Sequence, residues 1–331
     1  MPIITSDFSP SLPFKNGHFN TMYRPLFMKE VCNYTRKRIF TWDHDFIDLD
    51  FSKVNSNTLA LLIHGLEGSS ASKYMISTTN ELNGKGIDTV AFNLRGCSGE
   101  DNLLLGTYHS GKTEDVDFVI NHLLENYNYK NIIIIGFSLG GNLALKYMGE
   151  YAKNMSPKIK GAIATSVPID IADSESEMNK IKNKLYIEQF LKTIRLKVLE
   201  KSFKFPDFEL DKDQLFKAKR FKHLEHLYTV PVFGFDSPED YWRKASSKPY
   251  LSMINQPTLL INAQDDSFLG AECFPFEEAE SSDNFFLEVT KYGGHVGFIS
   301  TFNQHESRWL EKRISRFIEE NIQIHIEQTI S

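Results

Sequence analysis

Ten residues, Ile132 to Gly141, constrain this chain more than any others: Ile-Ile-Ile-Ile-Gly-Phe-Ser-Leu-Gly-Gly. Four consecutive isoleucines leave no polar face, so they suit a strand covered on both sides within a parallel sheet. Gly136-Phe137-Ser138-Leu139-Gly140 has the spacing G-x-S-x-G, and Asn142 to Met148 then reads as a helix. Strand, tight turn with a serine at its tip, then helix is the context in which this spacing marks a nucleophile elbow. The glycines give strand and helix room to approach and tolerate strained backbone angles. The plainer alternative is a glycine-rich turn whose serine only caps the helix; the flanking strand and helix favour the nucleophile.

Further strands are expected at Leu59–Ile63, Asp88–Leu94, Ile159–Val167, Pro257–Ala263 and Asn284–Thr290. Helical patterns separate them: Ala71–Asn83, Thr113–Tyr127, Asp240–Ser252 and Gln304–Glu320. Strands regularly spaced by helices predict a mostly parallel, doubly wound α/β sheet. The first 57 residues read as an N-terminal extension. Asn16-Gly17-His18 looks like a turn, and His18 like a packed or turn histidine. Arg36–Trp42 and Phe46–Phe51 look like a hairpin at the sheet edge; apolar and acidic residues alternate in its second strand, as for one wet face. The tail Ile322, Ile324, Ile326 alternates with polar residues, as an edge strand or a frayed end would.

The alternation stops after residue 172. A 60-residue interruption fits an inserted lid over 173–236, dividing a core of 1–172 and 237–331. Ile187, Phe190, Leu191, Ile194 and Val198 fall at helical spacing there. Charge sets the segment apart. Residues 178–226 hold 13 Lys or Arg against 7 Asp or Glu, in a chain whose net charge is −6. The overall charge argues against nucleic-acid binding. The local excess fits a solvated surface, peripheral contact with anionic lipid, or attraction of acidic substrates. No signal-peptide pattern and no apolar run of about 20 residues is visible. Cys32, Cys97 and Cys273 are scattered and form no disulfide or metal-ligand pattern, as suits a cytoplasmic protein. No His/Asp/Glu cluster has ligand spacing, and no cofactor is expected. The glycine loop lacks the Gly-Lys-Ser/Thr ending of a phosphate-binding loop.

In open α/β sheets, reactive groups lie just beyond the carboxyl ends of strands. Leu259–Ala263 ends in Gln264-Asp265-Asp266, and Phe285–Val289 leads to Gly293-Gly294-His295. Serine, acid and histidine thus follow successive strands in the chain order of α/β-hydrolases. His295 would take the proton of Ser138, and Asp266 would orient the imidazole, with the adjacent Asp265 as rival. His64-Gly65-Leu66-Glu67-Gly68 follows the first strand, where such enzymes place an oxyanion hole, assigned here to the N–H groups of Leu66 and Leu139. His64 is expected to support this loop. Arg95 is expected to pair with a carboxylate, and His109 to face solvent.

Several pieces together resemble the YheT-type branch of the α/β-hydrolases, which includes bacterial esterases, yeast medium-chain fatty-acid ethyl ester synthase/esterases and mammalian phospholipases. They are Pro13–Thr21, His64–Gly68, Asn93–Glu100, Tyr108–Gly111, Gly136–Asn142, Asn262–Asp266 and Gly293–Phe298. The Arg95-Gly96-Cys97-Ser98-Gly99 and Asn16-Gly17-His18 pieces are particular to the branch. The resemblance implies an α/β-hydrolase fold, a Ser138-Asp266-His295 triad and cleavage of carboxylic esters of short- to medium-chain acids. The substrate would be a small-molecule or lipid ester. Acyl transfer, phospholipase action and a non-catalytic binding role on the same fold are the alternatives. Where the branch commonly has Asp-Asp-Pro, this chain has Asp265-Asp266-Ser267, which leaves the acid's loop less constrained.

Overall fold

The computed structural model describes residues 2–304, 306–322 and 324. Its strands are β1 (Ile3–Ile4), β2 (Thr35–Phe40), β3 (Phe46–Ser52), β4 (Thr58–Ile63), β5 (Asp88–Asn93), β6 (Asn131–Phe137), β7 (Ile159–Thr165), β8 (Thr258–Ala263) and β9 (Phe285–Thr290). They form one sheet in the order β1-β9-β8-β7-β6-β4-β5-β3-β2. Pairing is parallel from β1 to β5, and antiparallel where β3 joins β5 and β2.

The isoleucine run lies at the centre and alternates between two apolar layers. Ile132 and Ile134 pack with Val116, Val119 and Leu143 on one face. Ile133 and Ile135 pack with Met75, Leu310 and Ile314 on the other. All four are fully buried, each contributing about 1.5–3 kcal/mol relative to exposure. Helices α1 (Gly17–Phe27), α2 (Lys73–Gly84), α3 (Thr113–Asn126) and α4 (Leu139–Glu150) are followed by an insertion between β7 and β8. It opens with α5 (Ile171–Met178), so helix begins slightly before residue 173, and continues with α6 (Lys184–Lys204) and short helices up to Phe233. The insertion has its own apolar cluster, including Ile187, Leu191, Val198 and Tyr228, which reaches the sheet domain through Phe268.

Several expectations need correction. Asn16-Gly17-His18 is a helix start, not a turn: the Asn16 side chain accepts the Phe19 N–H and caps α1. The hairpin's second strand, β3, is interior and buried rather than half-wetted. Its acids are matched by Arg36 on Asp50 and Arg38 on Asp48, across the ladder from the edge strand β2. The helix expected at Asp240–Ser252 starts at Pro238, behind a Ser237 cap, and stops at Ala245. There the Asn142 amide donates to the Ala245 carbonyl and accepts the Ser247 N–H, which turns the chain. The last helix is shorter, Trp309–Phe317, with a π-helical turn after it. Of the three tail isoleucines, Ile322 ends this π-helical turn rather than a strand and is buried, as is Ile324, and Ile326 lies outside the described residues. Among the described residues, no helix is long and apolar enough to cross a membrane.

Candidate active site

The turn from β6 into α4 carries Ser138 at φ 54° and ψ −120°. A non-glycine residue held there costs on the order of 1–3 kcal/mol, which the surroundings must offset. Close packing does so. A Cβ on Gly136 would lie 2.3 Å from the Gly140 carbonyl oxygen, and one on Gly140 2.3 Å from the Ile63 oxygen. Only glycine lets strand and helix approach this far, and the Ser138 N–H is fixed by the Thr165 carbonyl at 2.8 Å.

The loops after β8 and β9 bring the other groups to this tip. His295 Nε2 is 2.9 Å from Ser138 Oγ, and its Nδ1 is 2.8 Å from Asp266 Oδ2. A carboxylate can only accept, so Nδ1 carries the proton and Nε2 is left to accept from the serine hydroxyl. The second oxygen of Asp266 accepts the Phe268 N–H at 2.9 Å, and the Phe268 ring lies against the imidazole with centroids 4.3 Å apart. Asp265 turns elsewhere: it accepts the Gly294 N–H at 2.8 Å. Burial pushes its carboxyl up to about 6, with Asp266 adding to the effect. The Ser267 carbonyl accepts the Asn183 amide at 2.6 Å, so the acid's loop is tied without a proline.

The loop after β4 borders the serine: a Cβ on Gly65 would sit 3.1 Å from Ser138 Cβ. His64 is buried beneath it, accepting the Leu94 N–H at Nε2 and facing the Gly65 carbonyl with Nδ1. Burial pushes its pKa down to about 4, so it sits neutral as a brace. Leu139 opens α4, where an N–H has no intrahelical acceptor. Among the described residues, neither the Leu66 nor the Leu139 N–H donates to another group, and both residues line a cavity of about 620 Å³. Ser138 and His295 also line that cavity, facing Met178, Phe190, Ile194 and Tyr228 of the insertion.

Residues that sequence reasoning passed over hold the histidine loop. Thr21 Oγ1 accepts the His295 N–H at 2.8 Å. Asn20 accepts the Ile299 N–H and donates to the Ile299 carbonyl. Arg24 donates to the Gly297 carbonyl and pairs with Glu311. All three lie on α1, within or next to the Pro13–Thr21 piece; that branch-specific piece was the available signal. His18 on the same helix stands 3.2 Å from Tyr186 Oη on α6. Arg95 faces Asp115, Asp43 and Asp45. His109, expected in solvent, instead packs against Phe233, Phe235 and Tyr241. Burial, with Lys112 and Lys146 nearby, pushes it down to about 3. The insertion's positive excess is matched in part: Lys197 pairs with Glu67, Lys201 and Lys204 with Asp101, and Lys222 with Glu239. Among the described residues, no group of three His, Cys, Asp or Glu could hold a metal ion.

The alpha/beta hydrolase fold family matches residues 60–300. Escherichia coli YheT, which is named as an esterase, is 30% identical over 94% of this chain and 92% of its own. Human phospholipase ABHD3 is 29% identical over 96% of this chain and 80% of its own. Among solved structures, the Pyrococcus furiosus esterase Pf2001 superposes with a TM-score of 0.58, covering 88% of this chain and 93% of that one at 19% identity, a likeness of fold.

Proposed function

This chain belongs to the alpha/beta hydrolase fold family, and from that premise we propose that it is a serine hydrolase cleaving carboxylic esters of short- to medium-chain acids. The observation that carries the reading is the unbroken hydrogen-bond path from Ser138 through His295 to Asp266 at the wall of a largely apolar cavity. Ser138 Oγ attacks the ester carbonyl carbon while His295 Nε2 takes its proton. Asp266 holds the imidazole's tautomer and balances its positive charge. The carbonyl oxygen becomes an oxyanion, met by the N–H groups of Leu66 and Leu139. Collapse breaks the bond to the leaving oxygen, which receives the proton from His295. Water, activated by the same imidazole, then releases the acid and restores the serine.

The likeness to proteins named esterase and phospholipase supports an ester substrate, including a lipid ester. A cavity of about 620 Å³ falls within the range of small-ligand pockets, about 300–1,000 Å³. Contact with a lipid surface is favoured by exposed apolar side chains beside the cavity's lining: Met22 and Leu26 on α1, Ile181 and Leu185 before and at the start of α6. Purified protein tested on p-nitrophenyl esters of rising acyl length, as monomers and in anionic vesicles, tests both the substrate and the surface contact. We expect a short- to medium-chain optimum, labelling of Ser138 by a fluorophosphonate, and loss of both on Ser138→Ala, with kcat down about 10⁶-fold. An unlabelled, inactive wild-type protein would leave a binding role on a hydrolase fold. Equal rates on monomers and vesicles would remove the membrane contact.

A further inference from the structure

The loop that carries Leu66 is not held by its own neighbours alone. Glu67, the next residue, sits at φ 55°, in the left-handed region that side chains disfavour. Three hydrogen bonds fix it. Its N–H donates to Tyr108 Oη at 2.9 Å, and Tyr108 O–H donates back to Glu67 Oε1 at 2.7 Å. Lys197 Nζ donates to that same Oε1 at 2.9 Å. Tyr108 belongs to the sheet domain, but Lys197 comes from α6 of the insertion. The Glu67 side chain is 8% exposed. Its other oxygen, Oε2, is buried with no hydrogen-bond partner among the described residues, so Lys197 is the cation that offsets its charge.

The neighbouring turn of α6 has a separate duty. Lys201, four residues on and so on the same helix face, is buried and donates to the carbonyls of Asn102 and Leu104 and to the Asn102 amide oxygen. Lys201 seats the helix on the core, whereas Lys197 reaches past that anchor to the Leu66 loop. Removing Lys197 leaves the anchor in place but strands a buried carboxylate beside a strained backbone. The carboxylate would then withdraw toward water and rotate the Leu66–Glu67 peptide with it.

We propose that Lys197 is a positioning residue: through Glu67 it sets the Leu66 N–H that receives the oxyanion, so the insertion completes the site as well as covering it. This rests on the serine-hydrolase reading above. The test is steady-state kinetics on a small soluble ester with Lys197→Met, Lys197→Arg, Glu67→Gln and the Lys197→Met/Glu67→Gln double variant. A donor moved by about 1 Å costs up to about 100-fold, so Lys197→Met should lower kcat about 10- to 100-fold with KM nearly unchanged. Lys197→Arg should restore most of it. Glu67→Gln keeps an acceptor for Tyr108 and Lys197 and strands no carboxylate, so it should lower kcat less than Lys197→Met does, and the double variant should recover part of the Lys197→Met loss. If Lys197→Met does not fold, as judged by circular dichroism, the double variant, which strands no charge and should lower kcat at nearly constant KM, still decides the matter together with Lys197→Arg.

An unchanged kcat, a rise in KM alone, or fully additive losses would overturn the proposal. Ser138→Ala keeps the two readings apart. If Ser138→Ala remains active, the serine-hydrolase reading fails; if it is dead while Lys197→Met keeps full kcat, only the positioning role fails.

Discussion

Asp265 and Asp266 stand side by side and meet opposite partners. Asp266 reaches His295 with one oxygen and the Phe268 N–H with the other. Asp265 accepts the Gly294 N–H instead, and among the described residues its second oxygen is buried with no hydrogen-bond partner. Replacing Asp266 by Asn would present an amide N–H₂ to Nδ1 and favour the wrong tautomer. Asp266→Asn should therefore lower kcat about 10⁴-fold. In Asp265→Asn the amide oxygen can still accept from Gly294, so kcat should stay within about tenfold of wild type. Parallel rates on one p-nitrophenyl ester decide this, and reversed losses would assign the acid to Asp265. From sequence alone the two carboxylates were separable only by preference. Which way a side chain leaves a loop depends on neighbours brought in from elsewhere, here Gly294, Phe268 and Asn183.

Elements differ in how far the sequence declares them. β4 to β9 were legible because they are short apolar runs that need cover on both faces. The turns after them were legible because chemistry-bearing residues follow the strand ends. α1 was not, since Asn16-Gly17 imitates a turn and Pro25 lies inside the helix. β3 was misread because Asp48 and Asp50 look solvated until Arg36 and Arg38 are placed opposite them. Yet α1 buttresses the histidine loop. Its Arg24 is 2% exposed, pairs with the fully buried Glu311 side chain and donates to the Gly297 carbonyl. Breaking a buried pair from one side leaves an uncompensated charge, at about 3–5 kcal/mol. Arg24→Met should thus lower the urea midpoint by an equivalent amount. Arg24→Met/Glu311→Gln should recover part of the loss, because no charge is then stranded. A double variant less stable than the single one would contradict this account.

At the scale of the molecule, the insertion and the sheet domain meet through groups whose charge depends on pH. Glu225 lies on a π-helical turn of the insertion and lines the cavity. Its carboxylate accepts the Trp242 indole N–H at 2.8 Å from the helix behind it. Burial pushes it up to about 8; the indole bond opposes this, and Glu175 and Glu239 add to the rise. The folded protein therefore holds this proton more tightly than the unfolded chain, whose carboxyl titrates near 4.5. By linkage, its contribution to stability is complete below about pH 4.5 and is lost as pH rises through about 8. Asp265, raised to about 6, acts in the same direction at lower pH. His64 and His109, lowered to about 4 and about 3, act the other way, losing stability as pH falls below 6.5. Above about pH 7.5 these histidines are neutral in both states and Asp265 is ionised in both, which leaves Glu225 as the member of this set still titrating. The thermal midpoint should therefore fall from about pH 7.5 to 8.5, and Glu225→Gln should flatten that fall while keeping an acceptor for Trp242. The carboxylate formed on the cavity wall would loosen the insertion's seat first, so exchange protection of amides in residues 221–233 should decline over the same interval before that of β6. A midpoint rising with pH in that window, or a slope unchanged in Glu225→Gln, would show that the proton is not held at this interface.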